Sequence, residues 1–376
     1  MRSSRLLIVA VVLLISAGLV FAGGQGESGV IKIGVAGAHS GDLASYGIPT
    51  VHAAELVAEE INANGGINGQ MIELIVEDDQ CKAEVATNTA SKLVGEGVVA
   101  VIGHICSGAT RSALGIYVSE EIVTISPSAT SPPLTQSGEF PIFFRTIAPD
   151  DAQGRLQAQF VAEELELESV AILHDGQDYG RGLADFARES LEENYPEVEV
   201  VLYEGITPGA VDYSAIVNRV ADSDAEAVIY GGYHPEASKL VGQMLTQGLD
   251  IDFISGDGVK DETFVNVAGD DAEGVYASGP QDTSSNSLFQ EAADAHREEY
   301  GEDPGPFFMN AYAAALAITH AIEVAESTEA DAIMDALRDT SVRTPLGEIS
   351  FDDRGDAEGV GFAMYQVQDG VFVQVD

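Results

Sequence analysis

Short apolar runs rich in Val and Ile recur along the chain and alternate with amphipathic stretches. The runs Ile31–Ala36, Ile72–Glu77, Val98–Gly103, Ile122–Ser126, Val170–His174, Val198–Glu204, Ala227–Gly231, Ile251–Ser255 and Val275–Ser278 read as strands buried on both faces. Between them the apolar spacing turns helical. Over Pro49–Ile61 it falls on Ala53, Ala54, Val57, Ala58 and Ile61, and over Gly182–Tyr195 on Leu183, Phe186, Ala187 and Leu191. Strand, helix, strand in series predicts an α/β fold of doubly wound parallel sheets with right-handed crossovers.

The pattern repeats once. Ile33–Ala36 leads through His39-Ser40-Gly41 to Tyr46-Gly47 and a helix; Val170–Leu173 leads through His174-Asp175-Gly176 to Tyr179-Gly180 and a helix. Two similar lobes each present a loop at the carboxyl end of a first strand, where open α/β sheets bind ligands. Facing each other, those edges make a cleft with Tyr46 and Tyr179 on opposite walls.

Four further strand ends carry polar chemistry. Val98–Gly103 runs through His104-Ile105-Cys106-Ser107 into a helix, Ala109–Tyr117, with Ser107 at its N-cap. Its hydroxyl and the free N–H groups of the first turn suit a carboxylate, and a plain structural cap is the alternative. Ile122–Ser126 ends in a proline-stiffened loop offering the Thr130 hydroxyl and the carbonyls of Ser128 and Ala129. Ala227–Gly231 ends in Gly232-Tyr233-His234-Pro235-Glu236. Ile251–Ser255 ends in Gly256-Asp257-Gly258, where Asp257 is an acceptor, or a turn residue only. Together the loops predict recognition of a zwitterion, with Tyr46, Tyr179, Tyr233 and Phe307 walling an apolar side chain.

Composition narrows the class. Among 376 residues, 17 Lys+Arg against 62 Asp+Glu give a net charge of −45, which repels nucleic acid and anionic lipid. Residues 1–22 read as a signal peptide: Arg2 and Arg5, an apolar run Leu6–Leu14, and small residues ending at Ala22. No later stretch is apolar for the ~20 residues of a spanning helix. Export makes a disulfide the default for Cys81 and Cys106, stabilising by roughly 3.5 kcal/mol, with two buried thiols as the alternative. Nucleophile-elbow, zinc and phosphate-loop motifs are missing, which argues against an exported hydrolase, and no cofactor or metal site is expected. His104 and His174, at strand ends, read as satisfied structural histidines. Glu163, Glu164, Glu166 and Glu168 read as a solvated helix face.

Several stretches carry a resemblance. They include Ile61–Gly69 (INANGGING), Asp78-Asp79-Gln80-Cys81, Gly103-His104-Ile105-Cys106-Ser107, Pro127–Thr130, Gly231-Gly232-Tyr233-His234-Pro235-Glu236 and Pro345-Leu346-Gly347. With these the chain resembles the leucine/isoleucine/valine-binding protein family, periplasmic receptors of branched-chain amino-acid ABC transporters. The resemblance implies a type I periplasmic-binding fold, two lobes joined by three crossovers: residues 29–149 with 281–357, and 150–280 with 358–376. It implies a Cys81–Cys106 disulfide. Carried over by position, Ser107 and Thr130 hold the ligand's carboxylate. The Ser128 carbonyl, Thr130, Tyr233 and Asp257 meet its ammonium. Tyr46, Ile105, Cys106, Ala129, Tyr179 and Phe307 surround its side chain. A membrane permease is the implied partner, and a monomer is expected. A soluble exported receptor is retained best between two membranes, which places the mature chain in a periplasm. The chain departs from the family at Asp257, where Glu is expected, and at Ser128, where Ala is expected. Relatives for other solutes (an aromatic or polar amino acid, an amide, urea) are the alternative. The acidic surface, with only five lysines, predicts a salty milieu.

Overall fold

The computed structural model describes residues 29–375; the expected signal peptide lies outside them. All nine Val- and Ile-rich runs form strands, within two residues of the periodicity at either end. In the first sheet, β1 (Ile31–Gly37), β2 (Ile72–Asp78), β3 (Ala100–Ile102), β4 (Val123–Ser126) and β5 (Phe143–Arg145) lie in the order β2-β1-β3-β4-β5, all parallel. Helices α1 (Ala44–Ala63), α2 (Ala83–Glu96), α3 (Ser107–Ser119) and the single turn α4 (Pro133–Gln136) make the connections. The chain then enters α5 (Asp150–Gln159), prolonged by a π-turn over Phe160–Glu164, and builds a second sheet.

There, β6 (Ser169–His174), β7 (Glu199–Gly205), β8 (Ala227–Gly231), β9 (Asp252–Ser255) and β10 (Tyr276–Pro280) take the order β7-β6-β8-β9-β10. They are joined by α6 (Asp178–Asn194), α7 (Ser214–Ala221), α8 (His234–Thr246) and α9 (Glu262–Ala268). This is strand for strand the order of the first sheet, so the repeat in the sequence is a repeat in topology. The chain crosses back through α10 (Ser287–Tyr300), α11 (Phe308–Ala325) and α12 (Ala330–Asp339) to a small sheet of β11 (Val342–Thr344), β12 (Gly347–Phe351) and β13 (Ala357–Glu358). A third crossing adds β14 (Phe362–Gln368) antiparallel to β10, and the hairpin strand β15 (Val371–Gln374).

Each sheet is covered on both faces, as parallel sheets require. α1, α11 and α12 bury one face of the first sheet over Ile33, Val35, Ile102 and Ile125, and α2 and α3 bury the other over Val101 and Ala36. Among the described residues one helix, α11, is long and apolar enough to cross a membrane. Its Ala313, Ala314, Ala317, Ile318 and Ala321 are instead packed in the core of this lobe. Of the acidic run, Glu163 and Glu164 are helical while Glu166 and Glu168 follow the helix end, so the expected helix face is half a loop; all four are exposed.

Candidate functional site

In both sheets the strand order reverses beside the first strand, between β1 and β3 and between β6 and β8. Helices leave opposite faces at such a point and open a crevice at the strands' carboxyl ends. The two crevices face each other. The first turn of α1 supplies Tyr46, the β3–α3 turn Ile105, Cys106 and Ser107, and the end of β4 Ser128. The second lobe supplies Tyr179 from the first turn of α6, Tyr233 after β8, and Asp257 with Gly258 after β9; Phe307 precedes α11. These residues line one shared cleft between the two lobes. Ala129 and Thr130, expected at the ligand, are not in this lining; both are buried behind it.

The lobes are closed on each other. The Tyr46 hydroxyl donates to the Gly258 carbonyl at 2.7 Å and meets His234 Nδ1 at 2.8 Å; Ser45 donates to Asp261, and Arg111 pairs with Asp178 at 2.9 Å. Tyr233 stands between the two expected wall residues, its ring centroid 6.5 Å from Tyr46 and 5.1 Å from Tyr179. Tyr46 reaches this place because Gly47 lets α1 lie on the end of β1: a Cβ at 47 would sit 1.9 Å from the Ala38 carbonyl oxygen.

One end of the cavity is acidic. Asp257 is 2 % exposed. Its Oδ1 accepts from the Tyr179 hydroxyl at 2.7 Å and from Gln153 Nε2 at 3.1 Å, and none of the described hydrogen bonds ends on Oδ2. Oδ1 is therefore tied down by two side chains, and Oδ2 has no side-chain partner. Burial pushes the Asp257 carboxyl up to about 6 against the pull of the Tyr179, Gln153 and Gly258 hydrogen bonds. Burial also pushes the phenols of Tyr46, Tyr179 and Tyr233 far up, so all three remain neutral donors.

The other end is a helix start. Ser107 is the first residue of α3, and the N-cap position falls to Cys106, in extended backbone and with no side-chain cap. The expected Ser107 cap is thus displaced by one residue, to Cys106. The first bond of the helix runs from Thr110 N–H to the Cys106 carbonyl. The N–H groups of Ser107, Gly108 and Ala109 are left without intrahelical acceptors, and the helix's positive end faces the site. The Ser107 hydroxyl accepts from Ser131 N–H at 3.3 Å.

The Ala129 carbonyl, expected to be open to a ligand, accepts from Arg145 Nη1 at 3.2 Å. The Ser128 hydroxyl donates to the Ile105 carbonyl at 2.9 Å. The Cys81–Cys106 disulfide is present, with Cα atoms 5.5 Å apart. His104 is satisfied on both nitrogens, by Asp79 at 2.5 Å and Tyr117 at 3.0 Å. His174 Nδ1 accepts from Gly176 N–H at 3.1 Å. Among the described residues no cluster of His, Cys, Asp or Glu is arranged to hold a metal.

The supporting residues were not visible in the pattern. Arg145 is fully buried and holds the β4 loop by the Ala129 and Ser131 carbonyls and Thr135, while Asp356 neutralises it at 2.6 Å. Gln153 comes from α5, whose buried face is polar: Asp150, Gln153 and Gln157. A polar residue repeating at helical spacing after a proline, as in Pro149-Asp150-x-x-Gln153-x-x-x-Gln157, is the available signal.

Two doubly wound lobes closed over a shared cleft, with an acceptor at one end, helix-start donors at the other and aromatic walls between, define the class of solute-binding receptors. The chain belongs to the periplasmic binding protein family, whose profile matches residues 30–371. The leucine-, isoleucine-, valine-, threonine- and alanine-binding protein of Pseudomonas aeruginosa is 34% identical over 336 residues, 89% of each chain. The Leu/Ile/Val-binding protein of Escherichia coli is 34% identical over 335 residues, 89% of this chain and 90% of the relative. Among solved structures, a branched-chain amino acid transporter substrate-binding protein from Streptococcus pneumoniae, in complex with isoleucine, superposes with a TM-score of 0.81 at 30% identity. It covers 92% of this chain and 100% of its own.

Proposed function

We propose that this chain is a periplasmic receptor that closes on a branched-chain amino acid and delivers it to the permease of an ABC transporter. The observation that carries the reading is Asp257, with no side-chain partner on Oδ2, lining an aromatic-walled cleft that also receives the start of α3. Asp257 Oδ2 takes the ammonium. The Ser107–Ala109 amides take the carboxylate, with the Ser107 hydroxyl beside them. Tyr46, Ile105, Cys106, Tyr179, Tyr233 and Phe307 enclose the side chain. Thr130 and Ala129 act from behind, by shaping the loop that presents the Ser128 carbonyl. The names of the relatives support the ligand class.

In the same reading residues 1–22 are a signal peptide cleaved after about Ala22. Residues 29–149 with 281–357 form one lobe and 150–280 with 358–376 the other. The mature protein works as a monomer and is not an enzyme. Binding and closure are one equilibrium: a ligand shifts the lobes only by its preference for the closed form. Titration calorimetry against the twenty amino acids is the test. Leucine, isoleucine or valine is expected to bind at micromolar or better, about −8 kcal/mol. Heat with a different solute and none with these three would replace the ligand and keep the receptor.

A further inference from the structure

Asp150 and Asp257 are both buried, and they come from different elements, the start of α5 and the loop after β9. One side-chain amide bridges them. Gln153 Nε2 donates to Asp150 Oδ1 and to Asp257 Oδ1, each at 3.1 Å, and its Oε1 accepts from Asp257 N–H at 2.9 Å and Ser278 Oγ at 2.7 Å. All four hydrogen-bonding positions of the amide are used, so its orientation is fixed.

Positive charge is scarce around this pair. Arg145 lies nearest Asp150, but its guanidinium is committed to Asp356, Thr135 and the Ala129 and Ser131 carbonyls. Lys260 stands over the Tyr365 ring, 4.1 Å from its centroid, and acts on Asp257 only at a distance. The remaining titratable neighbours are the neutral phenols of Tyr179, Tyr46 and Tyr233. Among the described residues no cation forms an ion pair with either carboxylate. Asp150 Oδ2 and the Thr130 hydroxyl face each other and have no other partner among the described residues, and Asp150 N–H donates to the Thr130 carbonyl at 2.9 Å. One buried carboxylate suffices to neutralise an ammonium. A second one, buried and without an ion-pair partner among the described residues, is costly unless it holds a proton.

We propose that Asp150 and Asp257 act as one proton-sharing pair, bridged by Gln153, and that the arriving ammonium displaces the pair's proton to solvent. The inference rests on the reading that the ligand's ammonium sits at Asp257. Before binding, the pair carries one proton and one negative charge. On binding, a carboxyl O–H breaks, its electron pair stays on oxygen, and the proton passes to the buffer; the ammonium supplies the positive charge the proton had supplied. Burial raises both carboxyls and Asp257 raises Asp150 further, in the direction the pair requires. Asp150 touches no ligand in this scheme. It is a positioning residue, which makes affinity a function of pH and favours cationic head groups.

The test is calorimetric titration of leucine into the intact protein between about pH 5 and 7.5, in paired buffers of different ionisation enthalpy, where leucine itself does not titrate. The unaltered protein is expected to release up to about one proton per leucine, and its affinity to fall by up to about tenfold per pH unit toward acid. Asp150→Asn, which keeps the shape of the protonated acid, is expected to release fewer protons and to flatten the pH profile. Heats of binding equal in both buffers at every pH overturn the inference while leaving the receptor intact, and so does a variant that releases as many protons as its parent. The proton count of the unaltered protein decides the matter even if the variant does not fold. If no amino acid binds at all, the reading of the site fails and the pair's role falls with it.

Discussion

Asp257 and Arg145 show two ways a buried charge serves a cleft. Asp257 is held by one oxygen and, in the proposed reading, offers the other, so its removal deletes the contact itself. Asp257→Ala is expected to raise the dissociation constant for leucine by two orders of magnitude or more, the cost of stranding a buried ammonium at about 2–5 kcal/mol, as read by calorimetry. Arg145 never reaches the cavity; it holds the loop behind it. Arg145→Met leaves Asp356 with only a long contact to Arg354, at 3.9 Å, and is expected to lower unfolding free energy in urea by about 3 kcal/mol. The buried acids also set a pH dependence. Burial raises Asp257 to about 6 and Asp175 to about 7. The native chain therefore holds protons that the unfolded chain has already lost, and stability falls as pH rises from the ordinary carboxylate range through 6–7. The ligand-free protein is expected to melt higher at about pH 5 than at about pH 7.5; a flat or opposite profile counts against native protons on these groups. At this scale most of the residues that line the cleft were legible because they follow strand ends; Gly258 was not among them, and Ala129 and Thr130 were expected there and do not line it. The sequence hid Arg145 and Gln153, whose polar side chains are buried for the sake of other residues.

The strands buried on both faces were legible, whereas the apolar helix α11 and strand β14 were not picked out. The Val- and Ile-rich strands announce themselves; α5 does not, because the face it buries carries Asp150, Gln153 and Gln157. Three-residue β5 is too short for a periodicity, and its last residue is a buried arginine. The hairpin β14–β15 did leave a signal, Asp369-Gly370 between alternating apolar residues. Both turn residues have positive φ, 51° and 79°, as a two-residue hairpin turn demands. The contact of α1 with β1 is the most sensitive joint for function. Gly47→Ala drives a methyl group into the Ala38 carbonyl, and overpacking of this kind costs about 1–3 kcal/mol. Because Tyr46 is the adjacent residue, the variant is expected to lose leucine affinity as well as melting temperature, whereas Gly95→Ala, in open space on α2, is expected to lose neither.

The whole molecule is a topology used twice, and the weak repeat in the sequence was its trace. What the repeat could not foretell is how far the lobes approach, since that depends on contacts between residues roughly two hundred positions apart, such as Ser45 with Asp261 and Tyr46 with Gly258. The net charge of −45 belongs to this scale too. Self-repulsion of that size is relieved when salt shortens the screening length to about 3 Å at 1 M. The melting temperature is expected to rise between low salt and molar NaCl, and a constant value would remove the case for a saline habitat. The disulfide joins chemistry to geography. Cys106 is at once a partner of Cys81, the residue from which α3 starts, and part of the cavity wall. A chain whose thiols are still reduced has an unfinished wall and an untethered donor end. Leucine affinity measured with and without reductant is expected to differ several-fold, the oxidised form binding tighter. On that expectation the newly made chain holds leucine more weakly than the exported one, and gains its full affinity where its thiols pair.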